Sequence, residues 1–278
     1  MDIRMIADQV YDSLERNNFR TIGMPEAAMY DRPAIGVAAG DDPYFTFLKE
    51  HIGSFHWTPE EAFALKYSKG DPASLRVISM VFPQSAGTKE AQEKASVFPC
   101  DRWLVSRGEW EPLMQEFSSK FVAAVEAEGI PIVSIDLQPQ WKIERSERLG
   151  IASRWSHRHY AYAAGLGTFG LSDGFITEYG KAVRLTSYVV KADLPVTDRG
   201  DRGPYDWCLY YAKGTCGVCV KRCPVGAISQ QGHAKDRCAA YEDEAIAQYW
   251  PAHIERGNYK FGCGLCQTGI PCQDRRPV

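Results

Sequence analysis

The chain has 278 residues, which is enough for one domain of about 200 residues and a smaller second one. Hydrophobic residues make up 45%, and 32 Lys and Arg against 35 Asp and Glu leave a formal net charge of −3. This charge gives no general attraction to nucleic acid or to an anionic membrane, and no apolar run is long enough for a membrane span. We therefore expect a soluble, cytoplasmic chain that binds neither a membrane nor nucleic acid directly.

The part of the chain before residue 198 shows alternating helix and strand patterns. Ile3, Ile6, Val10 and Leu14 share one face of a predicted amphipathic helix. The elements predicted after it are a strand at 33–39, helices at 43–52 and from Thr58, a strand at 75–82, a helix at 109–129, a strand at 131–136, a helix at 156–164 and a strand at 183–190. This order predicts an α/β (α+β) domain with one sheet covered by helices.

The composition changes near residue 198. Residues 197–204 are polar and rich in glycine, which is typical of a boundary between domains. We expect a cofactor- and substrate-binding domain at 1–198 and a cysteine-rich domain at 199–278.

The cysteine-rich part carries a recognisable metal-binding spacing. Cys216, Cys219 and Cys223, followed by Pro224, match the last three members of the C-x2-C-x2-C-x3-C-P run of two-cluster ferredoxins. The position of the first member holds Lys213, so Cys208, five residues upstream, is the candidate to replace it.

Eight cysteines divide into two sets of four, because the fourth cysteine of such a run ligates the other cluster. We assign Cys208, Cys216, Cys219 and Cys272 to one 4Fe–4S cluster, and Cys223, Cys238, Cys263 and Cys266 to the second. Two zinc sites are the alternative use of eight thiolates. The ninth cysteine, Cys100, stands apart and is interpreted as a plain buried or half-buried thiol.

A glycine-rich stretch precedes the cysteines. Gly165, Gly167 and Gly170 match the dinucleotide fingerprint G-x-G-x-x-G, but a helix-like segment, not a strand, precedes them. We interpret the stretch as a tight turn whose backbone closely approaches a large flat ligand. With Leu166 and Thr168 between them, these residues are candidate cofactor contacts.

Five more side chains around this stretch are candidates for chemistry. His157 and Tyr160 are candidate catalytic proton donors, and Arg158 lies between them as a cofactor-binding candidate. Lys181 and Arg184 are candidates to bind an anionic group of a substrate or cofactor. For each of the five, ordinary packing or a solvated surface is the competing interpretation.

Two stretches, at 158–170 and 176–185, together with the cysteine pattern and its late Cys263-x2-Cys266 pair, resemble epoxyqueuosine reductases and corrinoid reductive dehalogenases. The resemblance implies a nitroreductase-like N-terminal domain and a ferredoxin-like C-terminal module with two 4Fe–4S clusters. It also implies cobalamin between them, reduced by the clusters one electron at a time. Where the epoxyqueuosine reductases carry the aspartate proposed as proton donor, this chain has Ile151.

These observations predict an iron–sulfur oxidoreductase that reduces a small-molecule substrate and takes its electrons from a donor such as ferredoxin or flavodoxin. Two alternatives remain open. The chain could be a non-enzymatic electron-transfer protein whose large domain docks a partner, or a corrinoid reductase or handling protein that serves another enzyme.

Overall fold

The computed structural model describes residues 2–254 and 262–278. The helices are α1 (Ile3–Asp12), α2 (Pro43–Ile52), α3 (Pro59–Phe63), α4 (Ala86–Glu93), α5 (Asp101–Gly108), α6 (Trp110–Ala127), α7 (His157–Ala163), α8 (Leu209–Lys213), α9 (Val218–Arg222) and α10 (Lys235–Ala240), continued by a π-helix at Tyr241–Ile246. The strands are β1 (Ala34–Ala39), β2 (Arg76–Pro83), β3 (Ile132–Ser134), β4 (Ile143–Ser146), β5 (Gly150–Ser153), β6 (Gly167–Phe169), β7 (Phe175–Thr177), β8 (Val183–Val190), β9 (Ile228–Ser229) and β10 (Gly232–His233). Short 3-10 turns lie at Arg20–Ile22, Pro72–Ser74 and Leu265–Gln267.

The central sheet has four antiparallel strands in the order β1-β2-β8-β3. Its alternating side chains are buried on both faces. Ile78 and Met80 pack with α1 and α6 on one face, and Val77 and Val189 pack with α2, α3 and α7 on the other. The predicted mixed α/β fold, with one sheet covered by helices, is confirmed.

Local sequence signals explain several element boundaries. Thr58 begins α3 with a capping box: its hydroxyl accepts from the Glu61 N–H, and the Glu61 carboxylate accepts from the Thr58 N–H. Asp42 caps α2 in a similar way through the Tyr44 N–H. After α6, Gly129 has φ of +76°, a left-handed conformation that glycine adopts without the penalty of a Cβ.

The sheet is incomplete along β8. The three residues of β3 pair only with Tyr188–Val190, so within the described residues no strand pairs with 183–187 on that side. The start of α7 approaches this open edge from one direction, and the junction of α5 and α6 approaches it from the other. The result is a recess along half of β8.

The cysteine-rich part packs back onto the sheet domain. The Lys181 N–H donates to the Cys272 carbonyl, and the Trp103 indole N–H donates to the Gly262 carbonyl at 3.1 Å. Gly264, at φ of +62°, lies so close to the Trp103 ring that a Cβ would collide with it. The domain boundary near residue 198 stays a prediction. No helix in the described part of the chain is both long and apolar enough to cross a membrane.

Candidate functional site

Four cysteines line one cavity, which we call cavity A: Cys208, Cys216, Cys219 and Cys272. Cys208 precedes α8, and Cys219 lies in α9. Leu171, Ile176 and Ile270 surround these cysteines, so the cavity is walled by apolar groups. Cys272 is brought in from the C-terminal segment by the hydrogen bond between its carbonyl and the Lys181 N–H, at 2.7 Å.

The other four cysteines of the cysteine-rich part line a second cavity, cavity B: Cys223, Cys238, Cys263 and Cys266. Cys223 ends α9 directly before Pro224, and Cys238 lies on α10. The Glu242 carboxylate accepts from the Cys263 N–H at 3.0 Å and helps to fix this segment. The structure thus brings the cysteines together in the two sets that were predicted from their spacing.

Burial raises the pKa of several of these thiols. The pKa of Cys272 rises to about 11 and that of Cys238 to about 12, and burial raises the pKa of Cys219 as well. As free thiols they keep their protons at neutral pH, so a metal that binds them must displace protons.

The geometry of the cysteines differs from that of a site for a single metal ion. Across residues 2–254 and 262–278, no three His, Cys, Asp or Glu side chains stand close enough to chelate one metal ion. Cys100, at the start of α5, lines neither cavity, and its backbone N–H donates to Gln92 Oε1 at 2.8 Å.

The recess along the open half of β8 forms a third cavity, the β8 pocket, with a volume of about 310 Å³. This volume lies at the lower end of the range of small-molecule sites, about 300–1,000 Å³. Its walls carry four aromatic rings and five basic side chains, namely Trp110, Trp141, Trp155, Phe175, Arg107, His157, Arg158, Lys181 and Arg184. Four of the sequence-predicted site residues, His157, Arg158, Lys181 and Arg184, therefore lie around one cavity.

The β8 pocket adjoins both cysteine cavities. Arg158, Gly174 and Gln267 line the pocket and cavity B alike. Lys181 lines the pocket and cavity A, and its ammonium donates to the Ser172 hydroxyl. Shared lining residues thus connect the β8 pocket with each cysteine cavity, which places the three cavities next to one another.

His157 belongs to a hydrogen-bond network behind the pocket wall. The Trp155 indole N–H donates to the Ser187 hydroxyl at 2.7 Å, and that hydroxyl lies 2.7 Å from His157 Nδ1. His157 Nε2 lies 3.3 Å from Asp136 Oδ1, and Thr186 donates to the other oxygen of the same carboxylate. Both ring nitrogens of His157 therefore face polar partners, Ser187 at Nδ1 and Asp136 at Nε2.

Asp136 is the charged partner in this network. Burial raises the pKa of its carboxyl, but His157 and Thr186 outweigh that effect, and the net pKa lies below its usual value. Neither Asp136 nor Ser187 was singled out from the sequence. The available signal was weak: Asp136 is a carboxylate at the end of the predicted strand 131–136, and Ser187 is a small polar residue in an apolar strand.

Tyr160 is not brought to the pocket. Its ring is fully buried, and it stacks on Trp155 with 3.5 Å between the ring centroids. Its hydroxyl donates to the Trp57 carbonyl, and burial raises its pKa well above the usual value. Tyr160 therefore packs in the core beneath α7, whereas His157 on the same helix lines the pocket.

The glycine-rich loop approaches protein backbone closely. A Cβ on Gly167 would collide with the Ile176 carbonyl of β7, and one on Gly165 would meet the Asp198 carbonyl at 3.0 Å. The Thr168 hydroxyl accepts from the Trp207 N–H at 3.1 Å, next to Cys208.

Within this loop, Leu166 packs beside Tyr162, and Gly170 lines cavity A. None of the five loop residues lines the β8 pocket.

Comparison with known proteins gives a consistent picture at low identity. No protein-family model matches the chain. The epoxyqueuosine reductase of Bacillus anthracis is 29% identical over 119 residues, which are 42% of this chain and 29% of that protein. The match therefore spans less than a third of the length of this curated relative.

Solved structures share the fold over most of the chain. An epoxyqueuosine reductase in complex with an epoxyqueuosine-modified tRNA-Tyr stem loop is 16% identical, with a TM-score of 0.51 over 98% of this chain and 66% of that chain. A reductive dehalogenase, described with a mechanism for B12-dependent dehalogenation, is 15% identical, with a TM-score of 0.50 over 88% of this chain and 30% of that chain. The predicted resemblance to both groups is confirmed, and it is a divergent one.

Proposed function

We propose that this chain is an iron–sulfur reductase in which two 4Fe–4S clusters, in cavities A and B, pass electrons to a ligand in the β8 pocket. The observation that carries the proposal is the geometry of the eight cysteines: four surround each cavity, and cavity B shares a wall with the pocket. The curated epoxyqueuosine reductase and the fold shared with reductive dehalogenases also favour a reductase.

The residues around cavities A and B fit iron–sulfur clusters. Four thiols per cavity match the ligand count of a 4Fe–4S cluster, and the apolar walls of cavity A restrict water, which tunes a cluster's potential. The exchange of Cys223 and Cys272 between the two sets follows two-cluster ferredoxins. On this basis we propose a ferredoxin-like module at 199–278 and a nitroreductase-like domain at 1–198.

The lining of the β8 pocket offers suitable contacts for one edge of a corrinoid such as cobalamin, although its volume of about 310 Å³ is too small to enclose the whole cofactor. Trp110, Trp155 and Phe175 offer flat apolar surfaces, and the guanidinium groups of Arg158 and Arg184 offer donors for the amide carbonyls at the edge of a corrin ring. A bound corrinoid would supply a cobalt centre that accepts electrons and delivers them to an organic substrate.

The chain's own residues would bind the substrate and manage its protons. His157 lines the pocket and Asp136 holds it, so this pair is the proposed source of the proton that a reduced substrate takes up. The contacts with Asp136 and Ser187 fix the orientation of the ring. This pair replaces the role that the family assigns to an aspartate at the position of Ile151.

Iron, sulfide and cobalt analysis after anaerobic purification with added cobalamin tests the proposal. We expect about eight irons per chain and one corrinoid. The variant Cys272→Ser should lose the cluster of cavity A, Cys266→Ser the cluster of cavity B, and the control Cys100→Ser neither. Zinc in place of iron would refute the proposal.

The two alternatives give different results in the same experiment. A full complement of iron with no bound corrinoid favours an electron-transfer protein. A corrinoid that binds and is reduced, but with no turnover of any substrate in the presence of reduced ferredoxin or flavodoxin, favours a corrinoid-handling protein. An epoxyqueuosine-modified RNA stem loop belongs in the substrate screen, because a structural neighbour was solved with one.

A further inference from the structure

The β8 pocket is lined by several cations. Arg107, Arg158, Lys181 and Arg184 line it, and within the described residues no carboxylate forms a direct ion pair with any of them. Carboxylates such as Glu242 act on Arg107 and Arg184 electrostatically without pairing with them. Buried or half-buried charges are normally paired directly, so a group of cations without direct ion pairs indicates a candidate site for an anion.

Arg107 and Arg184 line the same wall region of the pocket and influence each other electrostatically. Burial lowers the pKa of Arg107, and the neighbouring charge of Arg184 lowers it further. The Arg184 Nε is buried and has no hydrogen-bond partner in the part of the chain that the structure describes. An unsatisfied buried donor beside a like charge is costly, and an anion between the two would remove both penalties.

The acidic groups around the pocket form no direct pair with these guanidinium groups. Asp136 is held by His157 and Thr186. The Glu242 carboxylate influences Arg107 and Arg184 electrostatically, but it accepts from the Cys263 N–H and forms no ion pair with either within the described residues. The Asp173 carboxylate lies 3.4 Å from His233, and Arg158 reaches only the Asp173 backbone carbonyl.

A phenolate is no substitute either. Tyr30 lies beside Arg184 and Arg107, but its hydroxyl donates to the Ser106 carbonyl, and burial raises its pKa. Its phenol therefore stays neutral.

We infer that the β8 pocket binds a ligand through a carboxylate or phosphate group held between Arg107 and Arg184. Guanidinium forks bind both anions in a bidentate manner, whereas the aromatic walls take the apolar body of the ligand. The inference deepens the proposed function and rests on it, because it names the chemical class of the ligand in the same pocket.

Titration of the full-length, cluster-loaded protein with benzoate and with inorganic phosphate, at constant ionic strength, tests the inference through quenching of tryptophan fluorescence. Trp110, Trp141 and Trp155 line the pocket and report on its occupancy. We expect saturable binding of at least one of the two anions. Arg184→Gln should weaken it at least about tenfold, because it removes a charge-assisted pair.

Controls separate this site from surface charge. Arg145→Gln removes an exposed guanidinium that pairs with Asp236 on the surface, and it should leave anion binding unchanged. Arg107→Gln provides a second variant if Arg184→Gln does not fold. Arg184→Lys keeps the charge without the fork and should recover only part of the affinity.

Repeating the titration with hydroxocobalamin present identifies the source of the anion. Displacement of inorganic phosphate assigns the site to the phosphate of the cofactor, and simultaneous binding assigns it to the substrate. No saturable binding, or equal binding by wild type and both Gln variants, would overturn the inference. Iron analysis of the same sample keeps the outcomes separate: clusters without anion binding sink only this inference, and anion binding without clusters sinks only the proposed function.

Discussion

Acid should destabilise this protein through one buried histidine, His56. Its ring is fully buried, stacks on Tyr160 with 5.8 Å between centroids, and leaves Nε2 without a partner among the described residues. Burial lowers its pKa from 6.5 to about 4, although a hydrogen bond to the Trp57 carbonyl opposes the shift.

The sign of the effect follows from proton linkage. In the unfolded chain His56 becomes protonated below a pKa of about 6.5. In the folded chain it stays neutral until the pH approaches 4, so acid favours the unfolded state. The free energy of unfolding is therefore unaffected by His56 above pH 6.5, where the ring is neutral in both states, and it decreases as the pH falls below that value. At about 1.4 kcal/mol per pKa unit, the loss is roughly 2 kcal/mol at pH 5 and about 3 kcal/mol at pH 4.

Urea unfolding of the anaerobic protein, compared near pH 7.5 and near pH 5, measures this loss. His56→Phe keeps a ring against Tyr160 but cannot titrate, so it should lose about 2 kcal/mol less than wild type over this pH interval. Equal losses in wild type and His56→Phe would refute the reasoning.

Three further changes test the site and its supports. Replacing His157 by Gln removes the group that most lowers the pKa of Asp136, so the pKa of this carboxyl should rise. NMR of the carboxyl resonance in wild type and variant measures it, and an unchanged pKa would contradict the importance of the pair. Gly264→Ala places a Cβ against the Trp103 ring at a positive φ, so it should lower the free energy of unfolding by at least about 2 kcal/mol. Thermal unfolding measures this loss, and iron analysis should show that cavity B loses its iron. Tyr160→Phe removes one buried hydrogen bond and should cost about 1 kcal/mol without loss of reductase turnover; abolished turnover in a folded variant would restore the phenol as proton donor.

Much of the fold is readable from local signals in the sequence. The apolar runs of β2 and β8 and the Thr58 cap act within a few residues, and the structure matches them closely. The cysteines that line each cavity match the two sets expected from a two-cluster ferredoxin run, and their role as cluster ligands stays a prediction.

The network behind His157 was not predictable, since it depends on contacts between distant segments. Asp136 follows the end of β3 and contacts His157 at the start of α7, and Ser187 reaches the same ring from β8. The glycine loop was interpreted as a ligand contact because its need for close approach is visible in the sequence. The group that approaches Gly167 is a carbonyl of β7, which only the folded chain reveals.

The early end of β3 also bears on how copies of this protein behave at high concentration. Residues 183–187 of β8 present a row of backbone groups that no strand of the described chain pairs, and such an edge is a template on which another chain can add a strand. The cations of Lys181 and Arg184 stand at this edge, so an added strand would have to bury them. The same charges that prepare the recess for an anion thus discourage fibril-like pairing. Variants that neutralise Lys181 or Arg184 for binding studies should therefore aggregate more readily than wild type.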